Sequence, residues 1–227
     1  MSKGVERDSS AYSRTRKILR PLRFQGSANL LFAILLRVFM NGSMSKSIGW
    51  IGTGVMGYPM AGHLLSAGYD VRIYNRTKDK AIPLIQQGAR WCESAGDASE
   101  GADFVFSIVG FPQDVEEIFF GERGILSTAK NGSVVVDMTT SEPSLAERIY
   151  ETAKEKGVRA LDAPVSGGDL GARNGKLSIM VGGEEEAFRQ TKPLLEVMGE
   201  NISWFGPAGS GQRVKMSNQI LIATTMI

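Results

Sequence analysis

The stretch Ile48-Gly-Trp-Ile-Gly-Thr-Gly-Val-Met-Gly-Tyr-Pro-Met-Ala-Gly-His-Leu-Leu65 decides the fold. Residues 48–51 predict a buried strand, three glycines follow in the spacing G-x-G-x-x-G, and an apolar helical pattern comes next. In this setting the first glycine permits a tight turn, the second lets a pyrophosphate approach the backbone, and the third lets helix and strand pack closely. The spacing therefore predicts a dinucleotide-binding turn, with cofactor contacts from Gly52, Thr53, Gly54, Val55, Met56 and Gly57.

Beyond this turn, buried strand patterns alternate with helical ones, which is typical of an open and mostly parallel sheet. Strands are predicted at residues 48–51, 70–74, 89–91, 104–109, 134–137, 158–161, 177–181 and 201–205. Helices are predicted at residues 56–67, 144–156 and 184–197. We therefore predict a doubly wound α/β domain of the Rossmann type over residues 45–207, followed by a helix from about residue 208.

Charge is unevenly distributed along the 227 residues. The formal net charge is +2, but residues 1–43 hold eight Lys and Arg against two acidic residues, so the remainder is net acidic. The basic character therefore lies in the head and does not indicate a nucleic-acid surface. Cys92 is the single cysteine, which excludes an intrachain disulfide. With one His and one Cys a zinc site is disfavoured, and we expect no metal.

Residues 1–44 are predicted to be an N-terminal extension outside the fold. Their Arg- and Ser-rich, acid-poor composition is typical of an organellar transit peptide, which predicts a mitochondrial location. Two alternatives stay open: an extension without structure, and translation that starts at Met44, which would give a cytoplasmic protein. The apolar run at residues 30–40 is too short to span a bilayer, so we expect no membrane partner.

The end of the second predicted strand carries Asn75, Arg76 and Thr77, at the place where an Asp or Glu would bond the ribose of NAD. A cation there accommodates a 2′-phosphate. Arg76 can stack on adenine and pair with that phosphate, while Asn75 and Thr77 can donate hydrogen bonds. These residues favour NADP(H), and NAD(H) stays possible. The alternative is that Arg76 is a solvated surface cation.

Two later motifs carry chemistry. Asp-Ala-Pro-Val-Ser-Gly-Gly at 162–168 follows a predicted strand, and Ser166 with the backbone N–H groups of its two glycines could hold a carboxylate. Lys215 and Asn218 lie at i and i+3 of the last helix, hence on one face, where the amine could protonate an alkoxide. Taken singly, the first segment also fits an ordinary turn, and the lysine fits a solvated charge.

Four motifs together closely resemble the β-hydroxyacid dehydrogenase family, which includes 3-hydroxyisobutyrate dehydrogenases and glyoxylate/succinic semialdehyde reductases. They are Gly-Thr-Gly-Val-Met-Gly-Tyr-Pro-Met-Ala-Gly-His-Leu (52–64), Asp-Met-Thr-Thr-Ser-Glu-Pro (137–143), Asp-Ala-Pro-Val-Ser-Gly-Gly (162–168) and Gly-Ser-Gly-Gln-Arg-Val-Lys-Met-Ser-Asn-Gln (209–219). The similarity runs from about residue 47 to residue 227. It is greatest to the plant 3-hydroxyisobutyrate dehydrogenase-like proteins of mitochondrial type.

The resemblance implies an NADP(H)-dependent oxidoreductase that interconverts a small β-hydroxy acid and its semialdehyde or oxo acid. It implies that Lys215 is the catalytic residue that gives or takes a proton, and that full-length members are homo-oligomers. Substrate contacts with a small carboxylate are implied at Thr139, Ser166, Gly167, Gly168 and Asn218. Further cofactor contacts are implied at Val109, Gly110 and Thr140, and residues 75–77 resemble the NADP-using branches.

Three positions depart from the family pattern: His63 replaces an Asn, Gly110 a Pro, and Gln219 a second Asn of some members. We interpret His63 as a packing or hydrogen-bonding substitution. In the family, the helix that carries the lysine leads into an all-helical domain that closes the site. Residues 208–227 are therefore expected to be the start of a domain that is truncated here. The alternative function is a non-catalytic NADP(H)-binding protein, and a 6-phosphogluconate dehydrogenase is a more distant alternative.

Overall fold

The computed structural model describes residues 46–225, whose central feature is a nine-stranded sheet. The strands are β1 Ser47–Ile51, β2 Asp70–Tyr74, β3 Arg90–Trp91, β4 Phe104–Ser107, β5 Val134–Asp137, β6 Arg159–Asp162, β7 Val165–Ser166, β8 Leu177–Gly183 and β9 Gly199–Trp204. The helices are α1 Gly57–Ser66, α2 Ile82–Gln86, α3 Ala95–Ser99, α4 Pro112–Phe120, α5 Ile125–Thr128, α6 Pro143–Glu155, α7 Gly168–Arg173, α8 Glu185–Leu195 and α9 Ser210–Thr225. A 3-10 turn, Lys78–Ala81, precedes α2.

The strand order is β3-β2-β1-β4-β5-β6-β8-β7, with β9 paired to β8. The six strands from β3 to β6 are parallel, β8 runs antiparallel to β6 and β7, and β9 runs parallel to β8. The chain leaves β1 in one direction to reach β2 and later returns on its other side to form β4. A crevice therefore opens at the carboxyl ends of β1 and β4, where doubly wound sheets bind ligands. The predicted fold class is confirmed.

Alternating side chains build a core on each face of the sheet. Trp50 and Phe106 lie on one face with their ring centroids 5.7 Å apart, while Ile51 and Val105 pack into the core of the other face. All four side chains are buried, which explains why β1 and β4 read as continuous apolar runs. The indole Nε1 of Trp50 also donates to the carbonyl oxygen of Gly52 at 2.7 Å, so the core anchors the turn that follows β1.

The predicted strands at 70–74 and 134–137 match β2 and β5, and other boundaries differ by a few residues. The strand predicted at 104–109 ends at Ser107, because the chain turns there to border the crevice. The helix predicted at 56–67 begins at Gly57, and the helix predicted from residue 144 begins at Pro143, a residue favoured in a first turn. The short helices α2 to α5 and α7 were not predicted, because four to nine residues give little periodicity.

The N-terminal extension of residues 1–44, with the predicted transit peptide and the alternative start at Met44, lies outside the described residues, as do residues 226 and 227. Within residues 46–225, no helix combines the length and the apolar character that a membrane crossing requires. Within the same residues, no three His, Cys, Asp or Glu side chains are grouped so that they could hold a metal ion.

Candidate functional site

The glycine turn after β1 is packed tightly at two of its glycines and open at the third. Gly52 has a φ of +97°, and a Cβ there would collide with the carbonyl oxygen of Ile108. A Cβ at Gly57 would collide with the carbonyl oxygen of Gly52, so α1 could not start where it does. Gly54 has no atom within 4 Å of its absent Cβ. The turn therefore has the geometry in which a diphosphate can approach the backbone.

A cavity of about 340 Å³ lies over this turn, between the carboxyl ends of β1, β2 and β4. The predicted cofactor residues that line it are Gly52, Gly54, Val55, Met56, Gly57, Asn75, Arg76, Thr77, Val109 and Gly110. Thr53 lies behind the turn with its backbone N–H bonded to Asn75, and its buried hydroxyl has no hydrogen-bond partner. The open backbone at Gly54 and the start of the ten-residue helix α1 fit the pyrophosphate of a dinucleotide, whereas the buried Thr53 hydroxyl does not line the cavity.

The three residues after β2 differ in what they can offer a ligand. The Asn75 side chain accepts from Thr53 N at 2.9 Å and donates to Thr77 O at 2.8 Å, so it holds the glycine turn against the end of β2. Arg76 has a side chain that is 79% exposed, and its NH1 donates to Asp114 Oδ1 at 2.9 Å. Arg76 is thus an exposed cation of this cavity, paired with Asp114, whereas Asn75 supports the turn through two hydrogen bonds.

A second cavity of about 450 Å³ shares a wall with the first. Met56, Ile108, Val109 and Gly110 line both cavities. The predicted site residues found in the second cavity are Thr139, Thr140, Ser166, Gly167, Gly168 and Lys215. The fold therefore brings the substrate residues implied by the resemblance to the edge of the predicted cofactor site.

Lys215 is the buried cation of this second cavity. Its residue is 7% exposed, and burial lowers the pKa of its amine. Nζ donates to Ser166 Oγ at 2.8 Å and to Gln219 Oε1 at 3.1 Å. An ammonium has three N–H donors, so one remains to face a ligand in the cavity.

Ser166, in the segment after β6, forms hydrogen bonds with two side chains of α9. Its hydroxyl oxygen accepts from Lys215 and, at 3.1 Å, from the side-chain amide of Asn218. Because both lone pairs are used, the hydroxyl proton is left to donate. Asn218 thus touches Ser166, although the second cavity is not lined by it. Together these groups can bind an anionic or carbonyl oxygen and exchange a proton with it.

The position of α9 is set by a buried carboxylate at the end of β6. Asp162 is 3% exposed, and its two oxygens accept from the backbone N–H groups of Gly209, at 2.8 Å, and Gln212, at 2.9 Å. Gly209 directly precedes α9 and Gln212 lies in its first turn, where backbone N–H groups lack helical partners. Burial raises the pKa of the Asp162 carboxyl, against the effect of those hydrogen bonds. One carboxylate therefore fixes the helix that carries Lys215.

A second buried network holds the segment after β5. Thr139 N and Ser107 Oγ both donate to Asp137, whose pKa is raised to about 6 by burial. The Thr139 hydroxyl accepts from Val109 N at 3.0 Å, and the Thr139 carbonyl accepts from the Gln212 amide at 2.7 Å. Thr139 lies in the cavity wall with its hydroxyl already bonded, whereas the neighbouring Thr140 is exposed.

His63 links the two halves of the site. Its Nε2 lies 2.8 Å from the carbonyl oxygen of Ala172, so α1 contacts α7, the helix that follows the Ser166 segment. This geometry agrees with our interpretation of His63 as a hydrogen-bonding residue.

The site also contains Gln219, noted above only as a departure from the family pattern, and three residues that were not singled out from the sequence: Gln212, Asp162 and Asp114. Gln219 lies four residues after Lys215, and this helical spacing was a usable signal. The other three act across 38 to 73 residues of chain, and no local pattern marks such contacts.

Comparisons with known proteins identify the family of the chain. Residues 47–206 match the family described as the NAD binding domain of 6-phosphogluconate dehydrogenase. The uncharacterized oxidoreductase YkwC of Bacillus subtilis is 57% identical over 184 residues, which cover 81% of this chain and 64% of that protein. The probable 3-hydroxyisobutyrate dehydrogenase-like 1, mitochondrial, of Arabidopsis thaliana is 52% identical over 184 residues, covering 81% of this chain and 55% of that protein.

A solved structure gives the same result. The 3-hydroxyisobutyrate dehydrogenase of Mycobacterium tuberculosis, solved with L-serine, superposes with a TM-score of 0.75 at 33% identity, covering 79% of this chain and 61% of that one. The predicted similarity to 3-hydroxyisobutyrate dehydrogenase-like proteins, including plant ones named as mitochondrial, is therefore confirmed. The chain spans less than two thirds of the length of each of these three relatives.

Proposed function

The chain belongs to the family of the NAD binding domain of 6-phosphogluconate dehydrogenase. We propose that it functions as an oxidoreductase of small β-hydroxy acids. In this proposal the first cavity binds NADP(H) in preference to NAD(H). The second cavity binds the carboxylate substrate, a β-hydroxy acid or its semialdehyde or oxo acid. The names of the relatives and the L-serine of the M. tuberculosis structure support a small hydroxy acid as the substrate class.

The observation that carries the proposal is the wall shared by the two cavities. Met56, Ile108, Val109 and Gly110 border both the glycine turn and the Lys215–Ser166 pair. A dinucleotide whose pyrophosphate lies on the glycine turn would extend its other end along this wall. That end would lie beside the amine of a buried lysine, which could exchange a proton with a substrate while the cofactor exchanges a hydride with it.

Lys215 would exchange the proton of the reaction. The nicotinamide supplies the two-electron chemistry, as it accepts a hydride from the hydroxyl carbon or returns one to the carbonyl carbon. In the oxidation direction the substrate hydroxyl proton passes to Lys215 Nζ, and the C–O bond becomes a carbonyl. Because burial lowers the pKa of Lys215, the neutral amine needed for this step is more accessible than that of an exposed lysine.

The remaining polar groups would hold the carboxylate and keep Lys215 in place. Ser166 has its hydroxyl proton free to donate, and the exposed backbones of Gly167 and Gly168 lie beside it in the cavity. Asn218 and Gln219 contact Ser166 and Lys215, so they would orient these two groups. Thr139 and Thr140 line the same cavity and are proposed to contact the substrate and the nicotinamide.

Preference for NADP(H) is supported by the end of β2. No carboxylate stands at residues 75–77, and the guanidinium of Arg76 is exposed and borders the cavity. A mitochondrial location is supported by the names of the plant relatives together with the basic composition of residues 1–43. We also propose that the domain division at about residue 207 and homo-oligomers apply to the full-length protein, as the resemblance implies.

Binding and turnover of the purified chain test the proposal. NADPH should bind more tightly than NADH by fluorescence titration, and NADPH should be oxidised with glyoxylate or succinic semialdehyde. Lys215→Ala should abolish turnover and leave NADPH binding nearly unchanged, whereas Lys176→Ala, at an exposed lysine outside both cavities, should change neither.

The possible results separate the candidate functions. NADPH binding without turnover of either aldehyde would support the non-catalytic cofactor-binding alternative. Equal affinity for NADPH and NADH would refute the cofactor preference. Loss of both binding and turnover in Lys215→Ala would show a folding role for this lysine instead of a catalytic one.

A further inference from the structure

An ion pair closes one side of the predicted cofactor cavity. NH1 of Arg76, two residues after β2, donates to Oδ1 of Asp114, in the first turn of α4, at 2.9 Å. Both side chains line the cavity over the glycine turn. The cation expected to meet a 2′-phosphate is therefore already bound to a carboxylate of the same chain.

The carboxylate is the fixed partner of this pair. Asp114 Oδ2 accepts from Phe111 N at 3.1 Å, and its side chain is 22% exposed, against 79% for Arg76. Gly110 leaves room for it, because a Cβ at residue 110 would lie only 2.9 Å from Asp114 Oδ2. When a ligand draws Arg76 away, the Asp114 carboxylate will stay in the cavity wall.

We propose that Asp114 is a specificity-determining residue that limits the preference for NADP(H) over NAD(H). This inference rests on the proposed function, in which the cavity binds a dinucleotide. A 2′-phosphate must compete with Asp114 for Arg76, and it then faces a carboxylate of the same sign. A 2′-hydroxyl does neither, so Asp114 opposes only the phosphorylated cofactor.

Asp114 affects the affinity of the cavity for a 2′-phosphate in two ways that have opposite signs. By holding Arg76 near the cavity, the ion pair orders a flexible side chain, but exposed pairs of this kind change an equilibrium by only about two-fold. Repulsion between a carboxylate and a phosphate with a charge near −2, at about 6 Å, changes affinity by about three- to ten-fold even in salt and at the dielectric constant of water. Competition for Arg76 also weakens phosphate binding, as the repulsion does. The net effect of Asp114 is therefore to weaken the binding of the phosphorylated cofactor.

The charges around the cavity agree with a limited preference. Lys80 is a second cation in its lining. Glu117 is a second carboxylate in the same lining. Two cations thus face two carboxylates, whereas a site built only to retain the extra phosphate would be net positive.

Asp114→Asn is the direct test, because the amide oxygen can still accept from Phe111 N while the charge is removed. Dissociation constants of NADPH and NADH would be measured by fluorescence titration of the full chain. NADPH should bind about three- to ten-fold more tightly to the variant, and NADH binding should change less than about two-fold. Asp114→Ala should shift NADPH affinity in the same direction.

Glu116→Gln is the matched control. Glu116 lies on the same helix and pairs with Arg148 at 2.6 Å, but it does not line the cavity. It should leave both dissociation constants unchanged. Unchanged or weaker NADPH binding in both Asp114 variants would overturn the inference, and so would an equal gain for NADPH and NADH. If the unmodified chain binds neither dinucleotide, the proposed function fails and this inference fails with it.

Discussion

Substitution of Asp162 by Asn changes one buried atom and should loosen the start of α9. The carboxylate accepts from Gly209 N through one oxygen and from Gln212 N through the other. An amide keeps one accepting oxygen, but its NH2 group would face the second N–H donor. We expect the first turn of α9 to lose its attachment to β6, although the side chain keeps nearly the same shape.

The size of the effect follows from the hydrogen bonds. A bond to a charged acceptor contributes about 1.5–3 kcal/mol, and its neutral equivalent contributes about 1 kcal/mol. Losing one charged bond and weakening the other would therefore remove about 2–5 kcal/mol. The raised pKa of Asp162 shows that burial disfavours the ionised form, and the neutral amide avoids this penalty, so we expect the lower end, about 2 kcal/mol. For a domain of this size, that lowers Tm by about 4–8 °C.

Thermal and urea unfolding of the two proteins would measure the difference, with Glu147→Gln as the control. Glu147, on α6, forms an ion pair with Arg213 of α9, but both side chains are about half exposed. Its loss should change the free energy of unfolding by less than about 1 kcal/mol. If Asp162→Asn destabilises the chain no more than Glu147→Gln does, the assignment of Asp162 as the anchor of α9 is wrong.

Four further predictions concern the glycine turn, the buried Asp137 and the Trp50 indole. Gly57→Ala should lower the free energy of unfolding by about 3 kcal/mol, because its Cβ would meet the Gly52 carbonyl, whereas Gly54→Ala should weaken NADPH binding with little change in Tm. The pKa of Asp137 is about 6 when folded and near 4 when unfolded, so stability from this group is complete below pH 4 and is lost as pH rises to 6. Urea midpoints measured from pH 4 to 7 should therefore fall more steeply for the native chain than for Asp137→Asn. Trp50→Phe should destabilise the chain by about 1–3 kcal/mol, measured by urea unfolding, since the Gly52 carbonyl would lose its buried donor.

Local patterns were sufficient to predict the parts of the molecule that depend on neighbours in the chain. The glycine spacing predicted the turn after β1, and continuous apolar runs predicted β4 and β5, because these strands are buried on both faces. The antiparallel return of β8 has no comparable signal in its own residues. Its direction depends on the turn through β7 and α7, which are only two and six residues long.

In the candidate site, too, contacts within one helix could be predicted from the sequence, whereas contacts between distant segments could not. Lys215 and Asn218 share a helix face, so their proximity could be predicted from spacing. Their contact with Ser166 could not, because it joins residues 49 and 52 positions apart. The pairing of Arg76 with Asp114 was missed for a second reason, since α4 itself was not predicted. Contacts between distant residues depend on the packing of the whole sheet, which a single sequence does not display.

The bond from the Trp50 indole to the Gly52 carbonyl also has a practical use. It places a fluorophore at the base of the nucleotide turn, shielded from water and at a fixed orientation. Tryptophan emission overlaps the absorption of a reduced nicotinamide, so a bound NADPH or NADH will quench Trp50 by energy transfer. None of the three tryptophans Trp50, Trp91 and Trp204 lines the cavity, and energy transfer needs no contact, so a Trp50→Phe variant would show the share of the quenching that comes from Trp50. The chain therefore carries its own optical sensor of cofactor occupancy, which works without turnover and without a label.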